Sequence, residues 1–376
     1  MSSISSTENL LADLSERQRE AVTHTDGPLL IVAGPGSGKT RVMAHRVAYL
    51  IAEKGILPWK ILAVTFTNKA ARELRERCER LVGVGSNELQ VRTFHGFCSR
   101  VLRTDGDKVG LKPEFTIYDA DDQARVARKI LDDFDVDPKQ FPPRALLSVI
   151  SDAKNNMQSP AQLSRRTETY RDEVAVRVYE AYEGALQRAN AVDFDDLLLK
   201  TFQLLEGHPE MLEKYQERFE HLLVDEFQDT NALQFQVARL LAMKSQNICV
   251  VGDPDQSIYS WRHADPTNLT DFQSTFKNTK IVTLDQSYRS TQIILEAADA
   301  VIGNNDGRME KTLWTENSRG TRITVAEAYN EEEEASLVLK AATDLKNKDG
   351  IGRNEVAIMY RVNAQSRAFE VACNRE

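Results

Sequence analysis

The residues best suited to chemistry in this chain are those of the segment AGPGSGKT, residues 33–40, which follows the apolar run LLIV. Its glycines allow successive backbone N–H groups to turn toward one anion, and the start of a following helix adds positive potential. We expect Lys39 to reach the β- and γ-phosphates of a nucleotide and the Thr40 hydroxyl to ligate Mg²⁺. The spacing is that of a P-loop, although Ala33 stands where the strict pattern has glycine. The alternative is a turn that only joins two elements, which the strand-like run before and the helical pattern after disfavour.

A second segment, HLLVDEFQDTN, places two acidic residues directly after an apolar run. A P-loop needs a carboxylate for Mg²⁺ and a base for water. We expect Asp225 to hold the metal through its hydration shell and Glu226 to orient and deprotonate the attacking water. Asp-Glu pairs are common on surfaces, but the position of this pair after a buried strand, in a chain with a P-loop, favours the catalytic interpretation.

The segment VVGDPDQSIYSWRHAD also runs from an apolar strand into polar residues. We expect Gln256 to reach the γ-phosphate and respond to its loss. Tyr259, Trp261 and Arg262 follow closely, and single-stranded nucleic acid binds by stacking on such aromatic side chains, at about 1–3 kcal/mol per base. Trp261 could instead belong to a core, but the polar residues on both sides favour its exposure.

A candidate arginine follows the last strand of this set, in LDQSYRS. An arginine delivered across a domain cleft neutralises charge that grows on the γ-phosphoryl group, an effect of about 10³–10⁵ in rate. We expect Arg289 to have this role, and the alternative is an ion pair with a local acid.

The pattern of elements that would position these residues is that of an α/β fold. Helical periods separate most of the strand-like runs, which indicates a largely parallel sheet; the runs begin at residues 29, 61, 89, 221, 247 and 280. The middle of the chain, about residues 106–200, reads as almost purely helical and is interpreted as an insertion into one sheet domain. After residue 290, a helix, the strand RITVAEAY, a helix beginning EEEE and the strand EVAIMYRV predict the start of a second α/β domain. The four glutamates suit the first turn of a helix.

Composition limits the class of protein. A chain of 376 residues is expected to form two or more domains. Its longest apolar runs are too short to span a bilayer and its start lacks a signal-peptide pattern, so we expect a cytoplasmic protein with no membrane partner.

The four cysteines and six histidines show no metal-ligand spacing, which disfavours structural zinc and disulfides. A net charge of -9 argues against indiscriminate coating of nucleic acid, but residues 69–80 and 92–112 are locally basic; each of these stretches alone is explained as a solvated helix face.

Together and in this order, these segments resemble the UvrD/Rep-type superfamily 1 DNA helicases over nearly the whole chain. LSERQREAV resembles the Q-motif, AGPGSGKTRV motif I, TFTNKAARELRER motif Ia, VDEFQDTN motif II, GDPDQSIYSWRHAD motif III and QSYRS motif IV. TFHGFC resembles the next DNA-contacting segment, YRVNAQSRAFE a segment of the second motor domain, and IYDADDQ and AVDFDDLLLKTFQLL the ends of the helical 1B subdomain.

The resemblance implies roles for further residues. The nucleotide contacts that it implies or that the P-loop predicts are Gln18 on the adenine edge, Ala33, Gly34, Pro35, Gly36, Ser37, Gly38, Lys39, Thr40, Arg41 beside the base and Tyr288 stacked on adenine. The metal contacts are Thr40 and Asp225, and the catalytic group is Lys39, Glu226, Gln256 and the arginine finger Arg289. The contacts to single-stranded DNA are Phe66, Asn68, His95, Tyr259, Trp261 and Arg262.

The fold that the resemblance implies is a P-loop NTPase of RecA-like motor domains. We expect a first RecA-like domain, 1A, in residues 1–108 and 191–286, a helical insertion, 1B, in residues 109–190, and the first part of a second RecA-like domain, 2A, in residues 287–376. The implied activity is ATP- and Mg²⁺-dependent 3′ to 5′ translocation on single-stranded DNA, with unwinding at single-strand/duplex junctions in DNA repair or replication and with proteins of those pathways as partners.

Family members continue for several hundred residues beyond the equivalent of VACNRE, into motifs V and VI. We therefore expect the 376-residue chain alone to bind nucleotide and DNA weakly and to hydrolyse ATP slowly if at all.

Other functions stay open on the sequence. One is a P-loop NTPase switch that does not act on nucleic acid, although such a switch would not need the aromatic residues Phe66, Tyr259 and Trp261. Another is a non-hydrolysing DNA- and nucleotide-binding fragment. A third keeps the motor but places it in a helicase-nuclease complex, and no nuclease carboxylate cluster is visible in the sequence.

Overall fold

A six-stranded parallel sheet is the central element of this computed structural model. Its order is β3-β2-β6-β7-β1-β8, and every neighbouring pair is parallel. All residues of β1, β2, β6 and β7 are buried, as expected for parallel strands covered on both faces. The six strands fall on the six predicted apolar runs: β1 Leu29–Ala33, β2 Ile61–Thr65, β3 Gln90–Thr93, β6 His221–Val224, β7 Ile248–Gly252 and β8 Lys280–Leu284.

Helices cover both faces of this sheet. One face packs on the helices that begin at residues 16, 39 and 68, in a core that contains Leu29 and Ile31. The other packs on the helices that begin at residues 94, 194, 209, 232 and 268, in a core that contains Leu30 and Val32. The two cores take alternate residues of β1 because successive strand side chains point to opposite faces. These helices are α1 Glu16–Thr23, α2 Lys39–Ala52, α3 Asn68–Val82, α4 Phe94–Asp105, α9 Phe194–Gly207, α10 Pro209–Arg218, α11 Ala232–Ala242 and α12 Asn268–Thr275. A further helix, α13 Gln292–Ile302, follows β8.

The middle of the chain is built of helices around a separate core that includes Tyr179 and Tyr182. A pair of two-residue parallel strands, β4 Thr116–Ile117 and β5 Ala191–Val192, lies where the chain enters and leaves it. The helices are α5 Ala120–Asp133, α6 Pro143–Asn155, α7 Pro160–Ser164 and α8 Tyr170–Arg188.

A buried lysine joins this helical part to the start of α9. The Nζ atom of Lys154 lies 2.9 Å from Asp193 and 2.8 Å from both Asp196 and Glu183. Burial and the charge of Asp193 raise the pKa of Asp196 to about 7. The positive charge of Lys154 offsets part of the repulsion among the three carboxylates around it.

The structure describes residues 10–83, 88–259, 263–265, 267–305 and 311–375. They divide into two units, residues 1–319 and 320–376. Short 3₁₀ helices in the first unit are Pro58–Lys60, Gly106–Val109, Phe227–Asp229 and Pro254–Gln256. Among the helices that the structure describes, none is both long and apolar enough to cross a lipid bilayer.

The second unit contains helices but none of the predicted strands. Helix α14, Glu331–Asp349, begins with the four glutamates after the N-cap Asn330, as predicted, and the others are α15, Ser366–Arg375, and two 3₁₀ helices, Arg353–Glu355 and Asn363–Gln365. Residues 322–329 and 355–362 are not strands, so that prediction is wrong. A strand exists only through ladder hydrogen bonds to a partner, and within the described part of this unit neither segment has one; Val325 and Met359 are each 93% exposed.

Candidate functional site

The candidate residues meet at one edge of the sheet. Because all six strands are parallel, their carboxyl ends lie together, and a polar segment follows four of them. These segments are the loop of residues 34–38 after β1, Asp225 and Glu226 after β6, residues 253–256 after β7, and residues 285–289 after β8.

The loop after β1 has the backbone of an anion-binding turn. Gly36 and Gly38 have φ values of +74° and +89°, in the left-handed region that favours glycine, and Gly38 is the N-cap of α2. A Cβ on Gly36 would lie 2.6 Å from Cβ of Arg289 and 2.7 Å from Oγ of Ser287. The Tyr288 N–H also donates to the Gly36 carbonyl at 2.9 Å. The segment after β8 therefore packs directly on this loop, and only glycine fits between them.

A cleft of about 310 Å³, here called the phosphate cleft, opens at the loop. It brings together most of the predicted nucleotide and catalytic residues: Pro35, Gly36, Ser37, Gly38, Lys39, Thr40, Arg41, Glu226, Gln256, Tyr288 and Arg289. Arg77 of α3 also lines it and was missed, because its sequence suggests only a solvated helix face. Ala33 and Gly34 do not line the cleft; Ala33 is buried in β1, and the Gly34 N–H donates to the Leu284 carbonyl at 3.0 Å.

Two acidic residues after β6 have different environments. Burial and the charge of Glu226 raise the pKa of Asp225 to about 7, whereas Glu226 faces the cleft with Oε2 3.5 Å from Lys39 Nζ. Glu226 has a φ of +50°, a conformation that costs about 1–3 kcal/mol in a residue other than glycine and that is found at active sites. Burial and the charge of Glu226 also raise the pKa of Asp229 to about 6.

A buried glutamine links these acids to β7. Nε2 of Gln228 donates to Glu226 Oε2 at 2.9 Å and to Asp229 Oδ2 at 3.2 Å, and its Oε1 accepts from the Asp253 N–H at 2.9 Å. Gln228 thus holds the carboxylate of Glu226 and the end of β7 in one arrangement. The sequence did not predict this role for Gln228, because a glutamine two residues after a glutamate has no particular function by its position alone.

A second network fixes Gln256. Its Nε2 donates to Asp253 Oδ2 at 2.5 Å, and the other oxygen of Asp253 accepts from Lys311. Lys311 also lies 3.0 Å from Asp255 and has a buried side chain. Its sequence position, far from motif III, carried no signal for this contact.

Gln18, predicted to read adenine, is buried against the loop. Its Nε2 donates to the Ser37 carbonyl at 2.9 Å and its Oε1 accepts from the Ser15 N–H at 3.1 Å. Arg41 donates to the Asp13 carbonyl at 3.0 Å. Beside them, a cleft of about 200 Å³ is lined by residues that include Gln18, Gln286, Tyr288 and Trp314. Tyr288 and Ser37 line both this cleft and the phosphate cleft.

Aromatic side chains gather at the ends of β2 and β3. The rings of Phe66 and Tyr259 are 4.8 Å apart, and those of His95 and Phe194 are 5.8 Å apart. Phe66, His95 and Phe194 line a cleft of about 480 Å³, here called the aromatic cleft, together with His263 and polar residues of α6 and α9. Sequence reasoning missed Phe194, which is 50% exposed at the start of α9. Asn68 is the exposed first residue of α3, and Trp261 and Arg262 lie outside the described residues.

Arg289, predicted as the arginine finger, lines the phosphate cleft together with the loop. Within the described ranges no group of three or more His, Cys, Asp or Glu side chains is arranged to hold a metal ion. Hydroxyl and carboxylate oxygens such as those of Thr40 and Asp225 are of the kind that Mg²⁺ takes in phosphate sites.

Comparison with known proteins agrees with this geometry. Residues 14–277 match the UvrD/REP helicase N-terminal domain, and residues 282–376 match the UvrD-like helicase C-terminal domain. The ATP-dependent DNA helicase PcrA of Bacillus subtilis is 47% identical over 361 residues, which is 96% of this chain and 49% of that protein. The PcrA of Leuconostoc citreum is 45% identical over 97% of this chain and 49% of that protein. The chain thus spans about half the length of the curated relatives it matches. The chain belongs to the UvrD/REP helicase family.

Proposed function

We propose that this chain binds ATP with Mg²⁺ and is the part of a UvrD/Rep-type DNA helicase that couples ATP hydrolysis to movement on single-stranded DNA. The observation that carries the proposal is that the phosphate cleft, at the carboxyl edge of the sheet, is lined by side chains that follow four different strands. They are Lys39, Glu226, Gln256 and Arg289.

The residues of the phosphate cleft fit a triphosphate. The loop has no room for a Cβ at Gly36, and it ends at the N-terminus of α2. Backbone N–H groups and the helix dipole favour an anion at that position. Lys39 would neutralise the β- and γ-phosphates, and Thr40 and Asp225 are the groups suited to Mg²⁺, which supplies charge neutralisation on the phosphate oxygens when bound. Burial raises the pKa of Asp225, and a bound divalent cation would favour the ionised form of this carboxyl group.

Glu226 is the proposed base and Gln256 the proposed γ-phosphate sensor. Gln228 holds the Glu226 carboxylate through a 2.9 Å hydrogen bond. Asp253 holds the Gln256 side chain through a 2.5 Å hydrogen bond. Because Gln228 also accepts from the Asp253 backbone, a change at the γ-phosphate is transmitted to the segment that continues to Tyr259. The ring of Tyr259 contacts Phe66, which lines the aromatic cleft. The segment that holds the γ-phosphate sensor therefore continues to the residues proposed to stack on bases.

The domain organisation and activity of the whole protein are part of the proposal. We assign residues 1–108 and 191–286 to the first motor domain, residues 109–190 to the inserted subdomain and residues 287–376 to the beginning of the second motor domain. The names of the relatives support an ATP-dependent helicase; 3′ to 5′ movement, action at single-strand/duplex junctions and a place in DNA repair or replication belong to the family interpretation.

Binding measured with the purified chain tests the proposal. We expect Mg²⁺-dependent binding of a fluorescent ATP analogue that Lys39→Met weakens. We also expect binding of a dT oligonucleotide that Trp261→Ala weakens while ATP binding is retained. ATP hydrolysis with and without oligonucleotide separates an enzyme from a non-hydrolysing fragment. Normal ATP binding with no affinity for any oligonucleotide would instead favour an NTPase switch.

A further inference from the structure

The segment of residues 226–231 joins the phosphate cleft to the aromatic cleft. Glu226, at its start, lines the phosphate cleft, whereas Asp229 and Asn231 line the aromatic cleft. Between them lies the 3₁₀ helix Phe227–Asp229, whose first side chain is fully buried. Because this turn is short and packed in the core, a displacement at one end is carried to the other end.

The carboxylates at the two ends of this turn share one amide. Nε2 of Gln228 donates to Glu226 Oε2 at 2.9 Å and to Asp229 Oδ2 at 3.2 Å. The proposed base and an acid of the aromatic cleft are therefore held by the same side chain.

The far end of the turn is held by an asparagine from the helical middle of the chain. Nδ2 of Asn231 donates at 2.6 Å to Oδ1 of Asn155, the last residue of α6, and both residues are buried. Nδ2 of Asn155 in turn donates to the Ser151 carbonyl and to Asp195 Oδ1, each at 2.9 Å. Because both N–H groups of Asn155 face oxygen acceptors, its own oxygen can only point toward Asn231.

The orientation of Asn155 also sets the orientation of Asn231. Since Nδ2 of Asn231 faces Asn155, its Oδ1 is the atom that accepts from the Gln234 N–H at 2.8 Å and caps α11. The Asn231 N–H donates to Gln234 Oε1 at 3.1 Å. The hydrogen bonds of Asn155 thus select one arrangement for the end of the turn and the start of α11.

Attachment of α6 to the rest of the fold does not require this contact. The neighbouring Lys154 already joins α6 to the start of α9, through ion pairs of 2.9 Å with Asp193 and 2.8 Å with Asp196. Charge-assisted contacts of this kind are stronger than a hydrogen bond between two neutral amides. The contact between Asn155 and Asn231 therefore fixes the turn rather than the position of α6.

The side chains that orient Asn231 belong to the wall of the aromatic cleft. Ser151, Asn155 and Asp195 all line it. The Ser151 hydroxyl donates to Asp195 Oδ2 at 2.7 Å and lies 3.4 Å from Nε2 of His263, which lines the same cleft. A base that enters the cleft would meet this polar wall.

We propose that Asn155 is a positioning residue that transmits occupancy of the aromatic cleft to the phosphate cleft, through its hydrogen bond to Asn231 and the turn of residues 226–231. The inference rests on the proposed function, because it connects the two sites that this function requires. It adds a route through the helical middle of the chain to the route through Gln256 and Tyr259. Asn155 is not among the residues that line the phosphate cleft, so its effect on the nucleotide is indirect.

The linkage between the two ligands tests this role. The Kd of a fluorescent ATP analogue with Mg²⁺ is measured with and without a saturating dT oligonucleotide, and the ratio of the two values is the coupling factor. We expect the wild-type factor to differ from one by about fivefold or more. In Asn155→Ala it is expected to fall to within about twofold of one. A direct contact between Asn155 and a base would change oligonucleotide affinity equally with and without nucleotide, and the factor would stay the same.

The next residue of the chain offers a matched control. Asn156 is exposed, and its Nδ2 donates to the Asp152 carbonyl at 2.8 Å, just as Asn155 donates to the carbonyl four residues before it. Asn156→Ala therefore removes an amide and the same type of local hydrogen bond without touching Asn231. We expect it to keep the wild-type coupling factor.

A second variant removes the other partner of the hydrogen bond. In Asn231→Ser the hydroxyl can still cap α11, but no amide reaches Asn155. We expect the coupling factor of Asn231→Ser to equal that of Asn155→Ala. The double variant should have the same factor again, because one hydrogen bond can be lost only once.

A wild-type coupling factor in Asn155→Ala or Asn231→Ser, an equal loss in Asn156→Ala, or a further loss in the double variant would overturn the inference. A wild-type chain that binds both ligands independently of each other would also overturn it. A wild-type chain that binds no ATP analogue or no oligonucleotide refutes the proposed function itself, so the two failures are distinguishable.

Discussion

The ammonium group of Lys39 lies 3.5 Å from the carboxylate of Glu226 across the phosphate cleft. A second Lys-Glu pair, Lys60 and Glu220, lies at the opposite edge of the sheet, at the amino ends of β2 and β6. The two pairs have the same charges, but only the first lies at the edge where the glycine-rich loop and the polar ends of the strands meet. The second pair is therefore a matched control for the first.

Replacing the proposed base separates binding from hydrolysis. Glu226→Gln keeps an amide in place of the carboxylate but cannot accept a proton from water, so we expect single-turnover ATP hydrolysis to fall by about 10²–10⁴-fold. The Kd for ATP should stay the same or decrease, because a negative charge beside the phosphates is removed. Glu220→Gln should leave both quantities unchanged, and an equal loss of hydrolysis in the two variants would contradict the assignment.

The lysine of the loop should act on affinity. Removal of a charge-assisted contact costs about 1.5–3 kcal/mol, so Lys39→Met is expected to raise the Kd for ATP by about 10- to 150-fold. Titration with a fluorescent ATP analogue measures this. Lys60→Met serves as the control, and an unchanged Kd in Lys39→Met would exclude Lys39 from the phosphate site.

The fit around the loop glycine predicts a steric effect on stability. In Gly36→Ala the new Cβ would meet Arg289 at 2.6 Å and Ser287 at 2.7 Å, on a backbone with a φ of +74°. Gly55 has a similar φ of +66° with nothing within 4 Å, so Gly55→Ala has the backbone strain without the clash. We expect Gly36→Ala to lower the free energy of unfolding by about 1–2 kcal/mol more than Gly55→Ala does. Chemical denaturation without nucleotide measures the difference, and equal values would mean that the segment after β8 does not pack on the loop.

The aromatic cleft predicts a loss of DNA affinity from one ring. Phe66→Ala removes a ring that lies 4.8 Å from Tyr259, and we expect binding of a dT oligonucleotide to weaken by about 1–3 kcal/mol, or roughly 5- to 150-fold. Trp59, at the other end of β2 and 43% exposed, offers the control Trp59→Ala. Fluorescence anisotropy compares them, and similar losses in both variants would show that exposed rings act nonspecifically.

A buried histidine predicts acid sensitivity. Burial, assisted by the charge of Arg46, lowers the pKa of His221 from 6.5 to about 4. The unfolded chain therefore takes up this proton at higher pH than the folded one, so the stability that neutral His221 confers is complete above pH 6.5 and is lost as the pH falls to 4. At about 1.4 kcal/mol per pKa unit, the loss is about 3 kcal/mol.

His221→Phe should remove that part of the pH dependence, measured as the difference in free energy of unfolding from wild type between these two pH values. His208→Gln, which changes a histidine at the start of α10, is the control. An identical pH dependence in wild type and His221→Phe would contradict the assignment.

Sequence alone predicted the residues whose spacing is local. The P-loop, the acidic pair after β6 and the six sheet strands were all readable because each is a short pattern with its own physical reason. The strands at residues 322–329 and 355–362 were predicted from apolar, β-branched residues in the same way and are absent. The difference is that the sheet strands have partners to complete their hydrogen bonds, whereas an apolar run by itself supplies none.

The amino-acid sequence by itself determined which elements exist at the centre of this protein and which side chains stand at their ends, because periodicity and glycine chemistry act over a few residues. Only the tertiary structure decided that Gln228 holds Glu226 and the end of β7, and that Lys311 balances Asp253. These contacts join residues distant in sequence, and their geometry is set by strand order and helix packing, which no local pattern encodes.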